Sequence, residues 1–210
     1  YDILIEQLEI RDKTNPLLTK VGDEILSVKD KVVLPYYMGS MNKVKTKDGL
    51  ITWLTKYPID SQFVISDKLD GISALYVTNS NTTKLYTRGN GEQGRDISNI
   101  LDYLDLPKIQ DGELVMRGEL IISKTNFDKH RGTYTSARSM VNGLVALKEG
   151  IELIKLLDFV VFEVISPEIS PYDQLVYVEK LGFKVPNKKL VNYSQLIQWK
   201  TEEDNYVLNT

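Results

Sequence analysis

The sequence predicts an α+β domain, and three observations carry that expectation. Short β-patterned runs cluster between Phe63 and Ile122. Asn79-Ser80-Asn81 sits between two of them as a hairpin turn. Helical patterns fall before, among and after these runs at irregular intervals, whereas a doubly wound sheet would alternate strands and helices regularly.

Taken in order, Tyr1 to Arg11 carry Leu4, Leu8 and flanking isoleucines at helical spacing until Asn15-Pro16 interrupts, which predicts an amphipathic helix and then a break. Val32-Val33-Leu34 opens a turn-rich passage to residue 42, and Gly49 to Tyr57 reads as a short helix carrying Trp53 and Leu54. Phe63-Val64-Ile65 and Ile72 to Val77 are strand-like, and Lys84 to Arg88 returns from the turn. The polar stretch Asn90 to Arg95 reads as a turn leading into a short helix near Ile97 to Tyr103. Gly112 to Ile122 alternates, which puts Arg117 and Glu119 on one face. Asn126 to Gly150 is irregular and then helical, and Leu156 to Val164 is a near-continuous apolar strand. Ser170-Pro171-Tyr172-Asp173 has the N-cap, first-turn proline and acid of a helix start, and Gly182 is placed to end that helix. Another helix follows from about Ser194.

With 210 residues, 42% of them hydrophobic, the chain can bury a substantial core as one large domain or as one domain with a short appendage. No cysteine is present, so no disulfide contributes; this fits a reducing compartment, with the cytosol or nucleus as the default. No run has the pattern of a signal peptide or membrane span. A net charge of -3 argues against a protein that grips DNA through overall positive charge. The basic runs Lys43 to Lys47, Lys129-His130-Arg131 and Lys188-Lys189 read as solvated surface. His130, the only histidine, is expected in a loop, which leaves a Ser-His-Asp or Cys-His mechanism little to build on.

The chemistry centres on Lys68-Leu69-Asp70-Gly71, with Arg88 and Arg117-Gly118-Glu119 following on neighbouring strands. A lysine followed by a carboxylate and a glycine suits an amine that attacks phosphorus. The amine must be deprotonated, through burial, neighbouring cations or a metal, and the glycine gives the incoming phosphate room. The downstream arginine and glutamate offer a cation for phosphate or ribose oxygens and an acceptor for ribose hydroxyls.

Ser66 to Gly71, Tyr86 to Gly91, Gly94 to Ile97 and Met116 to Leu120 resemble the adenylation (nucleotidyltransferase) domain of NAD-dependent DNA ligases, most closely those of large DNA viruses. Tyr1-Asp2-x-Leu4, Val21-Gly22, Pro35 to Met41, Ala137-Arg138-Ser139 with Gly143, and Asp158 to Phe162 extend the resemblance over nearly the whole chain. The resemblance implies antiparallel sheets flanked by helices. Residues 1–22 would be a remnant of the helical subdomain that binds nicotinamide mononucleotide, and residues 23–210 a C-terminally incomplete nucleotidyltransferase domain. It also implies that Lys68 takes AMP from NAD, releases nicotinamide mononucleotide and passes AMP to the 5′-phosphate of nicked duplex DNA, in replication and repair. A divalent cation, magnesium, would assist, and a monomer is expected. By the same resemblance Lys68, Asp70 and Arg138 are catalytic. Tyr1, Asp2, Ser40, Met41, Gly71, Arg88, Glu119, Arg138 and Phe162 join Lys68 in binding the nucleotide. Arg88 and Glu119 would face ribose, Arg138 phosphate, and Phe162 adenine.

The chain departs from the bacterial pattern at Ser66 (glutamate there), Asn90 (aspartate), Arg95 (an acid) and Ala146 (near the place of a second arginine). An Asp-Gly-x-Val-x-Lys strand, expected beyond the helix near Ser194, is not found before Thr210. Two rival readings share the lysine motif or survive its loss of function: an ATP-dependent ligase or capping enzyme, and a catalytically silent nucleic-acid-binding module. Tyr1-Asp2-x-Leu4 favours the NAD type over the ATP type.

Overall fold

The computed structural model describes residues 8, 11–12, 15, 31–41, 43–44, 46–109, 112–147 and 152–198. At the centre is a four-stranded antiparallel sheet in the order β4-β3-β6-β7, built from β3 (Ile72–Thr78), β4 (Thr83–Thr87), β6 (Leu114–Ile122) and β7 (Leu157–Ser166). Two two-stranded antiparallel ribbons flank it. One pairs β1 (Lys31–Val33) with β5 (Gln93–Arg95), the other β2 (Gln62–Ser66) with β8 (Lys188–Asn192). The helices are α1 (Lys47–Leu54), α2 (Lys124–Asp128), α3 (Ala137–Ala146), α4 (Pro171–Lys180) and α5 (Tyr193–Ile197), with 3-10 turns at Ser98–Tyr103 and Glu152–Leu156.

Because side chains alternate along a strand, the central sheet has two distinct faces. Leu114, Met116, Leu120 and Ile122 of β6, Ala74 and Tyr76 of β3, and Phe159 and Val161 of β7 join the main core. There they meet Met140, Val141, Leu144 and Val145 of α3, a helical stripe whose full burial contributes roughly 1.5–3 kcal/mol per large side chain. Gly118 lies in the same register, and a Cβ there would come within 2.5 Å of the Phe159 ring, so the close approach of β6 and β7 needs glycine. The opposite face is less apolar. Leu75 and Val115 pack with Leu34 and Met38 at one end, and the other end carries Ser73, Arg117 and Glu119.

Most expected elements form where the sequence places them. Asn79 Oδ1 accepts from the amides of Asn81 and Thr82, closing the β3–β4 hairpin. Ser170 caps α4, Pro171 opens it, and Gly182 adopts φ +95° just beyond its end. Four segments differ. Residues 93–95, expected within a turn, pair with β1. Of Lys188 and Lys189, read as solvated surface, Lys189 is exposed on β8, whereas Lys188 is ion-paired to Glu179 at 2.7 Å with only 13% of its side chain exposed. The stretch from Asn126, expected to be irregular at first, starts inside α2, which Ser123 caps. The 3-10 turn at 152–156 was not anticipated. Of the expected N-terminal helix, Leu8 and Arg11 are helical; apart from these and Asp12 and Asn15, residues 1–22 lie outside the described residues, as do those after 198.

Candidate functional site

Lys68 sits on the link between β2 and β3, and this link is fastened at both ends. At the first end, the Asp67 amide donates to the Asn187 carbonyl at 3.2 Å and the Asn187 side-chain amide donates to Asp67 Oδ2 at 2.6 Å. At the second, the Gly71 amide donates to Glu119 Oε1 at 3.1 Å, and Arg138 Nη1 donates to Asp70 Oδ1 at 2.8 Å. Lys68 itself is exposed and makes no hydrogen bond or ion pair among the described residues. Gly71 matters for a different reason than the sequence implied: a Cβ there would lie 2.0 Å from the Leu120 carbonyl oxygen, so the glycine makes room for β6, not only for phosphate.

Arg138 occupies the first turn of α3, behind a capping box in which the side chains of Ser136 and Ser139 each accept the other's amide. A cation there opposes the helix dipole at a cost of about 0.3–1 kcal/mol, so the helix gains nothing from it. The arginine is instead paired with Asp70 and half exposed beside the lysine link, where an anion can reach it.

Glu119 is the buried charge of the site, 7% exposed. Burial pushes its carboxyl above its ordinary value, and hydrogen bonds from Ser73 and Gly71, then the charges of Arg138 and Lys68, offset only part of that push. Ser73 lies directly opposite on β3, and its hydroxyl donates to Glu119 Oε2 at 2.7 Å. The Ser73 carbonyl in turn accepts from the Arg88 amide at 3.0 Å, which fixes the start of the turn beyond β4.

The segment from Tyr36 to Met41 lies across this polar face. Leu34 and Met38 anchor it in the smaller apolar cluster, and their amides donate to the Glu92 and Gly91 carbonyls at 2.8 Å each. Arg88 Nη2 donates to Ser40 Oγ at 2.5 Å. Arg117 reaches between, donating through Nη1 to Glu163 at 2.7 Å and through Nη2 to the Tyr37 carbonyl. Met41 is 77% exposed. Asn90 acts locally, its side-chain oxygen accepting from the amides of Glu92 and Gln93 to close the turn that Gly89 (φ +53°) and Gly91 (φ +98°) permit. An aspartate oxygen could do the same, which explains why this departure leaves the turn intact. In β7 the register slips between Arg117 and Gly118, so Phe162 and Glu163 both fall opposite Arg117. Phe162 is partly exposed and outside the buried core.

The structure thus brings Asp70, Gly71, Glu119 and Arg138 into one network beside the exposed Lys68, and joins Arg88 and Ser40 to it through Ser73. Tyr1 and Asp2 lie outside the described residues. Sequence reasoning missed the parts played by Ser73, Glu163 and Asn187. Only the parity of Ser73 with Leu75, on the face shared with Glu119, signalled one of them. Among the described residues no group of three or more His, Cys, Asp or Glu could hold a metal ion. Among the described residues no helix is long and apolar enough to cross a membrane.

Residues 30–198 match the sequence model of the NAD-dependent DNA ligase adenylation domain. A DNA ligase of Acanthamoeba polyphaga mimivirus is 39% identical over 193 residues, covering 88% of this chain and 30% of the relative. Putative DNA ligase 205R of Invertebrate iridescent virus 6 is 31% identical over 212 residues, 99% of this chain and 32% of the relative. A bacterial DNA ligase, from Lachnoclostridium phytofermentans, is 29% identical over 221 residues, 94% of this chain and 33% of its own. The chain spans about a third of the length of these relatives.

Proposed function

The chain belongs to the family of NAD-dependent DNA ligase adenylation domains, and on that premise we propose that it is the nucleotidyltransferase core of a DNA-sealing ligase. The neutral Lys68 amine attacks the adenylyl phosphorus of NAD, forming a phosphoramidate to AMP as the bond to nicotinamide mononucleotide breaks. AMP then passes to the 5′-phosphate at a nick in duplex DNA. The observation that carries this reading is the lysine link itself: an accessible amine, fastened on both sides, beside an exposed arginine and a buried carboxylate.

Each residue has a distinct role in this reading. Arg138 stabilises charge on the phosphate, and Asp70 holds Arg138 over the site until the phosphate arrives. Glu119 and Arg88 hold the ribose, and Gly71 keeps Glu119 against β3. Ser40 and Met41 lie along the adenine, with Phe162 stacking on it; its partial exposure at the β7 bulge supports that role over a place in the core. Residues 1–22, with Tyr1 and Asp2, grip the nicotinamide mononucleotide half, and residues 23–210 form the nucleotidyltransferase unit of that fold, acting as a monomer. Magnesium would supply charge neutralisation to the phosphates when bound.

The test is incubation of the purified chain with NAD and magnesium, or ATP and magnesium, followed by intact-mass measurement and product analysis. One AMP gained per chain together with nicotinamide mononucleotide release is the expected result. Labelling from ATP with pyrophosphate release would support the ATP-dependent rival instead, and no labelling from either would support a silent nucleic-acid-binding module.

A further inference from the structure

Glu119 has roughly four lone-pair positions when ionised, and two are taken by donors within the protein, the Ser73 hydroxyl at 2.7 Å and the Gly71 amide at 3.1 Å. No other described residue donates to it. A buried carboxylate with two open acceptor positions suits a ligand that presents two adjacent hydroxyls, the vicinal diol of a ribose. The two internal donors act together: each binds a different oxygen, so the pair fixes both the tilt and the rotation of the carboxylate plane. Gly71 is a backbone donor and cannot vary, whereas Ser73 is a side chain placed there by strand register.

We propose that Ser73 is a positioning residue of the nucleotide site, holding the Glu119 carboxylate in the one orientation that accepts both hydroxyls of a ribose. The inference rests on the reading of Glu119 as the ribose partner. It also makes Ser73 a determinant of selection against 2′-deoxynucleotides. With Glu119 fixed, a missing hydroxyl leaves a buried acceptor unpaired; with Glu119 free to turn, the loss is relieved. Ser73 further favours the ionised form of Glu119, since its hydrogen bond opposes the upward push of burial. The charged groups on the surrounding elements are Lys68 and Asp70 on the link, Arg88 beyond β4, Arg117 on β6, Glu163 on β7 and Arg138 on α3. Lys68 and Arg138 act on Glu119 in the same direction as Ser73, Arg117 is engaged by Glu163, and Asp70 by Arg138.

The experiment compares the wild-type chain with Ser73→Ala and Ser73→Thr. Carbon-13 spectra of glutamate side-chain carboxyls follow the titration of Glu119, assigned by its loss in Glu119→Gln, and calorimetry measures binding of AMP and 2′-deoxy-AMP. Ser73→Ala is expected to titrate at higher pH than wild type and to bind AMP about ten-fold more weakly at neutral pH. Its preference for AMP over the deoxy analogue should shrink, and Ser73→Thr, which keeps the hydroxyl in a strand-compatible side chain, should restore all three. An unchanged Glu119 titration in Ser73→Ala, or a Ser73→Thr protein that behaves like Ser73→Ala, would overturn the proposal. A wild-type chain that binds AMP and its deoxy analogue equally would overturn the ribose reading of Glu119, and the titration would still report whether Ser73 holds it.

Discussion

Replacing Gly71 by alanine tests how tightly the lysine link is built into the sheet. The new methyl carbon would fall 2.0 Å from the Leu120 carbonyl oxygen and 2.9 Å from Ile121 Cγ2. Leu120 is paired with Ile72 on one side and with Phe159 on the other, so its carbonyl is held in the middle of the sheet and cannot turn away cheaply. Overpacking of this kind costs about 1–3 kcal/mol or more. If the link moves to relieve it, the hydrogen bond from Gly71 to the Glu119 carboxylate, worth roughly 1.5–3 kcal/mol, is strained or lost. Alanine recovers about 0.4–1 kcal/mol by narrowing the unfolded ensemble. The net expectation is a loss of about 2–4 kcal/mol, which for a chain of this size lowers Tm by roughly 5–15 °C. Urea denaturation and thermal melts measure it directly. A Gly71→Ala protein as stable as wild type, but unable to bind nucleotide, would refute this packing role and restore the view that the glycine serves the phosphate alone.

Glu119→Gln should leave the fold intact, because a glutamine can accept from the Gly71 amide and meet the Ser73 hydroxyl, while nucleotide binding falls. Burial raises the Glu119 carboxyl, so the folded state holds its proton to higher pH than the unfolded state does, and this group's contribution to stability declines as pH rises through that interval. Paired melts should therefore show Glu119→Gln gaining on wild type as pH rises above the ordinary glutamate range, and a wild type that gains on Glu119→Gln over the same rise would contradict this. Arg117→Met removes the bonds to Glu163 and to the Tyr37 carbonyl and leaves a part-buried glutamate unpaired; a loss of about 1–3 kcal/mol is expected, with faster proteolysis of the Tyr36 to Met41 segment. An unchanged cleavage rate would show that the segment is held without it. Arg138→Ala should melt within about 0.5 kcal/mol of wild type, since its ion pair with Asp70 is more than half exposed on both sides, while adenylation slows sharply. A large fall in stability with adenylation intact would make the pair structural.

The sequence made the site's ingredients visible better than its wiring. Arg117 and Glu119 share a face because strand side chains alternate with period two, and that needed no structure. Ser170, Pro171 and Gly182 marked a helix through capping chemistry that acts within a few residues. Which groups those residues bond was hidden, because it depends on register between distant strands. Arg117 pairs with Glu163 rather than Glu119, and Arg138 with Asp70 across 68 positions. Ser73 meets Glu119 only because Ile72 is opposite Leu120; a one-residue slip would turn both away from each other's face. Lys188 looked like solvated surface beside Lys189 because charge dominates their local pattern, and Lys189 is exposed, yet Lys188 is covered by pairing of β8 with β2 and by Glu179.

Whether the Lys68 amine carries AMP decides the proposed chemistry, and peptide mass spectrometry of the chain after incubation with NAD and magnesium addresses it most directly. The expected result is a single AMP-bearing peptide with the modification on Lys68, and no adduct in Lys68→Ala or Lys68→Arg proteins that melt like wild type, because alanine has no amine and arginine cannot be deprotonated to attack phosphorus. AMP on any other residue, or an adduct that persists in either variant, would contradict it.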